Sequence, residues 1–151
     1  MGRTDAASRV IKASPQVIYA AHVDPQPVAA WRPPKGMRAE IYNFDAGEGG
    51  IYRMAFVCED VSVAGKTSAN ADVFEGQFVE LVPGQRIVER VVFESDDPAY
   101  AGAMTVTTTL SAVTEGTRVD IACSNIPDGI SAADHAEGMA STLANLAAFV
   151  E

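Results

Sequence analysis

The chain has 151 residues, 48% of them apolar and 21% charged, the composition of one globular domain with a sizeable core rather than a disordered segment. A formal net charge of −9, with few and scattered Lys and Arg, argues against nucleic acid and anionic lipid surfaces as partners. No apolar run approaches the ~20 residues that span a bilayer. The N-terminal MGRTDAASRV has no apolar segment of a secretory signal, and Ala6 stands where the myristoylation pattern asks for Ser or Thr. A cytoplasmic protein is therefore expected. Cys58 and Cys123 lie far apart, with no CxxC and no His/Cys cluster at zinc spacing, and read as buried, reduced thiols. Neither a metal nor a cofactor is expected.

In chain order, residues 8–13 (SRVIKA) read as a strand. Ser14-Pro15 is an N-cap followed by proline at the first helical position, and it opens a short helix through PQVIYAAH. Asp24-Pro25 repeats the device and opens a second short helix through Val28 and Trp31, which Pro33-Pro34 stops. From Met37 the chain turns almost purely β. MRAEIYNFD and IYRMAFVCE read as strands around EGG, and VSVAGKTSAN (61–70) as a loop or strand end. DVFEGQFVEL and RIVERVVFE form a hairpin about VPGQ, and SDDPAYAG is a solvated acidic loop.

The strand AMTVTTTLSAV sets Met104, Val106, Thr108 and Leu110 on one side, and Thr105, Thr107 and Thr109 on the other. TRVDIACS alternates likewise, with Val119, Ile121 and Cys123 opposite Arg118, Asp120 and Ala122. Alternation of this kind means one wet and one buried face. The element able to cover the buried face is SAADHAEGMASTLANLAAFVE, a helix of ~30 Å at ~1.5 Å per residue. Its stripe is Ala136, Met139, Ala140, Leu143, Leu146, Ala147 and Val150. Ser131 and Asp134 resemble a capping box at its start. Residues 1–151 form a single domain in this reading, of α+β class.

The order strand, two short helices, six strands, long helix resembles the helix-grip of the START-like (SRPBCC) superfamily. The stretch Gly76 to Val88, GQFVELVPGQRIV, is similar to the central hairpin of its bacterial activator-of-heat-shock-protein-90-ATPase-like branch. So are ASPQVIYAAHVDPQPVAAW, GGIYRM, GTRVDI and NIPDGISAADHAEGMASTLANLAAFVE, in the same order. The resemblance implies a curved antiparallel sheet of about six to seven strands wrapped around the C-terminal helix, with a cavity between them.

The residues that would line such a cavity are Phe74, Phe78, Glu89, Val91, Phe93, Met104, Met139 and Leu143. Gly76 in a strand interior, with Gly138, Ala140, Ala144, Ala147 and Ala148 on the helix, would leave it room. Ile87, Glu89, Val91 and Phe93 share a face of their strand. Glu89 then either enters an apolar cavity with a raised pKa, or pairs with an arginine, or sits at the rim in water. Arg53 is the partner to check and joins the candidate ligand-binding residues; Tyr42, Tyr52 and Tyr100 are candidate hydroxyl donors. His22, near a helix C-terminus, and His135 are read as surface residues.

Three functions remain open. The first is binding of a small apolar or aromatic ligand. The second is a polyketide cyclase- or dehydratase-like reaction using Glu89. The third is a co-chaperone-like interaction, against which stands the additional N-terminal domain of the eukaryotic activators, for which 151 residues leave no room. The first is the expectation, and a homodimer is left open.

Overall fold

The computed structural model describes residues 3–34, 36–58 and 71–151; the stretch 61–70, read as a loop or strand end, lies outside them. Both Pro-led caps form as expected. Ser14 Oγ accepts from the Val17 N–H at 3.2 Å and opens α1 (Pro15–Ala20). Asp24 Oδ1 accepts from the Gln26 N–H at 3.0 Å and opens α2 (Pro25–Trp31). Ser131 Oγ accepts from the Asp134 N–H at 3.1 Å and opens α3 (Ala132–Val150).

The seven strands are β1 (Arg3–Ile11), β2 (Met37–Phe44), β3 (Ile51–Cys58), β4 (Ala71–Val82), β5 (Arg86–Phe93), β6 (Ala103–Val113) and β7 (Gly116–Ile126). They form one antiparallel sheet in the order β1-β7-β6-β5-β4-β3-β2. β1 starts five residues earlier than residue 8. Its first half has little apolar patterning of its own, and pairing with the end of β7 makes it a strand, Arg3 opposite Ile126 and Asp5 opposite Cys123. The register slips there because β7 carries a bulge at Asn125, whose φ is +56°. The bulge resets the phase of β7, so that Cys123 and Ile126, three apart, are both buried.

β1 and β2 are consecutive in sequence yet form opposite edges. Six inter-strand steps of ~4.8 Å would put the edges of a flat sheet roughly 29 Å apart. A connection of two short helices spans such a distance because the sheet curves, and α1 and α2 lie across its concave side, touching β6, β2 and α3. α3 packs along β1, α1 and α2. Its buried stripe is narrower than expected: Met139, Leu143, Leu146 and Ala147 are buried, while Ala136 and Ala140 are exposed. Ala148 is exposed too, and a side chain at Gly138 would meet open space. Ala136, Ala140 and Ala148 therefore add little to the buried stripe of α3.

The core falls into two main clusters. One holds Val28, Tyr52, Met54, Phe74, Phe78, Ile87, Val91, Met104, Cys123 and Met139 among others. The other holds Ile11, Ile18, Trp31, Leu110, Val119, Leu143 and Leu146. α2 joins them, with Val28 in the first and Trp31 in the second.

Candidate functional site

On β5 the expected face points inward: Ile87, Glu89 and Val91 are buried and Phe93 partly so. Glu89 is 2% exposed. It neither stands alone nor reaches the rim. Arg32 Nη1 donates to Glu89 Oε1 at 2.8 Å, Tyr52 Oη donates to the same oxygen at 2.6 Å, and Arg32 Nη2 donates to Tyr52 Oη at 3.1 Å. The guanidinium carbon also lies 5.3 Å from the centroid of the Tyr52 ring. Three elements thus converge, α2 through the residue after its last turn, β3 and β5.

The reach of Tyr52 explains Gly76. Tyr52 stands opposite Gly76 in the β3–β4 register, and Gly76 opposite Val91 on β5. The Tyr52 ring lies over the glycine, and a Cβ there would collide with its Cζ, Cε1 and Oη. The space that Gly76 leaves is taken by a tyrosine of the same sheet rather than by a cavity. Around it the rings of Phe78, Phe44 and Phe74 stand 5.3, 5.8 and 6.3 Å from that of Tyr52. Phe74 continues to Phe93, and Phe93 to Tyr100, at 6.1 and 6.4 Å.

The electrostatics follow from burial and pairing. Burial works to raise the Glu89 pKa, but the charge of Arg32 and the hydrogen bonds from Tyr52 and Arg32 outweigh it and hold the carboxyl below its ordinary value. Burial and the neighbouring carboxylate push the Tyr52 phenol well up, against the opposing pull of Arg32. Burial opposes the charge on Arg32, and Glu89 more than restores it. A buried ionised pair with a neutral phenol results. Beside it His22 is buried, correcting its surface reading. Its Nδ1 lies 2.8 Å from the Ile18 carbonyl, which can only accept, so Nδ1 carries the proton. Its ring packs edge-on to Trp31 at 4.7 Å. Burial lowers its pKa and disfavours its charged form.

Of the predicted site residues, Phe74, Phe78, Val91, Met104 and Met139 share one cluster with Tyr52, and Phe93 packs at its edge. Leu143 belongs to the second cluster, against Ile11, Ile18 and Trp31. Arg53 is on the opposite face: it follows Tyr52 in a strand, so it must point away. It bonds Glu94 at 2.6 and 2.9 Å and lies over the Tyr42 ring at 4.8 Å, and is not the partner of Glu89. The partner that sequence reasoning missed is Arg32. Its signal was helical spacing, four residues after the inward-facing Val28.

A second polar cluster ties β1 to α3. Arg3 Nε donates to Asp5 Oδ1 at 2.9 Å, Arg3 Nη2 to the Ile130 carbonyl at 2.7 Å, and His135 Nδ1 lies 2.8 Å from Asp5 Oδ2. His135 is therefore a half-buried clamp rather than a free surface residue. The Arg3 hydrogen bond leads in holding Asp5 below its ordinary pKa, and the His135 contact adds to it against the effect of burial. Two clefts of about 410 and 550 Å³ flank α2, one over Pro25, Ala29 and Ile41, the other between Pro33, Met37 and Phe149. None of the predicted site residues lines either. Among the described residues no three His, Cys, Asp or Glu side chains cluster as metal ligands, and no helix is long and apolar enough to cross a membrane.

Residues 12–151 match the family model of activator of Hsp90 ATPase homolog 1-like proteins. The chain belongs to that family. Its fold is similar to the crystal structure of a protein from Chromobacterium violaceum, at 35% identity and a TM-score of 0.87, covering 98% of this chain and 96% of that one. A protein from Rhodobacter sphaeroides (20% identity, TM-score 0.76, 96% and 90% covered) and one from Mesorhizobium loti (20%, 0.73, 97% and 96%) share the fold. No curated protein matches. Membership agrees with the helix-grip expected from the order of elements and the five similar stretches, and with a ligand-binding domain in general terms.

Proposed function

We propose that this family member binds a small, largely apolar or aromatic molecule on the concave face of its sheet, over β5–β7. One observation carries the reading. Val106 faces inward on a central strand, between Glu89 on β5 and Cys123 on β7, yet it is only partly covered, as are its inward neighbours Ile121 and Ala7. Apolar surface at the centre of a closed core is ordinarily covered in full, because each Å² left to water forgoes about 25 cal/mol. Phe93 and Tyr100, also partly covered, extend the apolar surface toward the loop after β5.

The same geometry favours binding over cyclase-type acid–base chemistry. A general acid or base works best with a pKa near the ambient pH. Glu89 is held below the ordinary carboxylate range and Tyr52 is pushed far above neutrality, so neither is poised for proton transfer. Their pairing with Arg32 positions and polarises.

The test is native mass spectrometry of the protein purified from its own host, followed by denaturation and identification of any released molecule. A stoichiometric apolar compound is the expected result. An empty protein that also shows no thermal shift with a panel of aromatic and polyketide-like compounds would overturn the proposal.

A further inference from the structure

We infer that the polar end of the ligand is an uncharged hydrogen-bond donor of phenol or enol type, received by Glu89 Oε2. The inference rests on the binding reading above and adds the chemical class to it. Both hydrogen bonds that Glu89 receives, from Tyr52 and Arg32, fall on Oε1. Oε2 receives none. Among the described residues no fully buried side-chain N or O lacks a partner. Oε2 therefore reaches accessible space, although the side chain as a whole is 3% exposed. Across the β5–β6 register Glu89 stands opposite Val106, the incompletely covered residue at the centre of the concave face. One unsaturated acceptor thus borders an apolar seat.

The charges around that acceptor decide what it can take. An ionised carboxylate oxygen only accepts, so the ligand must bring an O–H or N–H. A ligand carboxylate or phosphate would meet Glu89 head-on, because Arg32 already spends its charge 2.8 Å away on the same group. An ammonium would be drawn to Glu89 but would lie beside the buried guanidinium of Arg32, a like charge with little water between them. A neutral donor avoids both conflicts. Its aromatic or otherwise planar body then lies on Val106, Met104 and Phe93, which is apolar burial without a charge to desolvate.

The experiment compares four probes with one bicyclic body: 2-naphthol, 2-methoxynaphthalene, 2-naphthoate and 2-naphthylmethylammonium. Dissociation constants are measured by titration calorimetry or intrinsic fluorescence. 2-Naphthol is expected to bind about tenfold or more tighter than each of the others, the range of a hydrogen bond to a charged acceptor. Glu89→Gln strands a buried Arg32 and risks unfolding, so Val106→Phe, which fills the seat and leaves both members of the ion pair in place, is the second arm. It is expected to abolish 2-naphthol binding while circular dichroism stays native. If the methyl ether, the carboxylate or the ammonium binds as well as the naphthol, the donor inference is overturned while the binding reading stands. If none of the four binds, the phenol-type assignment is overturned, and the binding reading stands or falls with the native mass spectrometry and the compound panel. If Val106→Phe keeps full affinity, the seat is elsewhere and the assignment to Glu89 falls.

Discussion

Replacing Gly76 by alanine adds one methyl group to the middle of β4, where it collides with a ring that cannot swing away. Tyr52 is fully buried and packed among Phe44, Phe74 and Phe78, and its hydroxyl is bonded to Glu89 and Arg32. Overpacking of a close-packed interior costs about 1–3 kcal/mol. Moving the ring also withdraws the Tyr52 hydroxyl from a charged acceptor, about 1.5–3 kcal/mol more. The two overlap, so a loss of about 2–5 kcal/mol is expected in urea unfolding. For a domain of this size that is a fall in Tm of roughly 4–20 °C. The control is the same substitution in a Tyr52→Ala background. There the clash is gone, and alanine for glycine in a strand interior should stabilise by about 0.5–1 kcal/mol. The sign of the effect thus reverses between backgrounds. A single-mutant loss under about 1 kcal/mol, or equal losses in both backgrounds, would refute the account and return Gly76 to the role of leaving space for a ligand.

Three further outcomes are expected. Arg32→Leu leaves Glu89 buried without its cation and should cost about 3–5 kcal/mol, most of which Arg32→Leu/Glu89→Leu should restore; equal instability of the double variant would mean that Arg32 acts through packing. Leu143→Ala should cost about 2–5 kcal/mol in denaturant unfolding yet leave ligand affinity unchanged, since Leu143 lies in the cluster away from Glu89. Stability should fall in two stages on acidification. His22 is held neutral by burial with its pKa depressed, so the unfolded chain binds that proton first and stability declines as pH drops below about 6.5. Glu89 and Asp5 are depressed carboxyls, and their contribution is present above about 4.5 and lost as pH falls below it. His22→Gln should flatten only the upper stage, and an unchanged profile between pH 7 and 5 would show that His22 does not titrate on folding.

How much of this could be read beforehand depended on how local the cause was. Ser14-Pro15 and Asp24-Pro25 cap helices through contacts two or three residues away, and both formed as read. That Ile87, Glu89, Val91 and Phe93 share a face followed from the period of two, and the family resemblance pointed that face inward. Arg53 went wrong because β3 alternates poorly. Ala55 and Val57 are buried on the convex side with Ala71, while Tyr52 and Met54 are buried on the concave side, so the apolar pattern does not say which face is inner. Arg32 was missed because its carboxylate lies 57 positions on in the chain, and an arginine at the end of a short helix looks like a solvated cap. The narrow stripe of α3 had a similar cause: alanines at Ala136 and Ala140 satisfy a helical period without being buried, because a methyl group is tolerated on either side.

The ion pair with its phenol also constrains the order of assembly. Its members come from segments 20 and 37 residues apart, two in the β3–β4–β5 meander and one on a helix made earlier in the chain. β3, β4 and β5 pair in sequence order, but if they closed their concave side alone they would strand a carboxylate in an apolar interior. Closure of the concave side and docking of α2 are therefore bound together, and both follow the pairing of the strands. In kinetic terms Arg32→Leu should accelerate unfolding while barely slowing folding, because the guanidinium arrives after the strands have met. A chevron whose folding limb carries most of the change would place α2 in the nucleus instead.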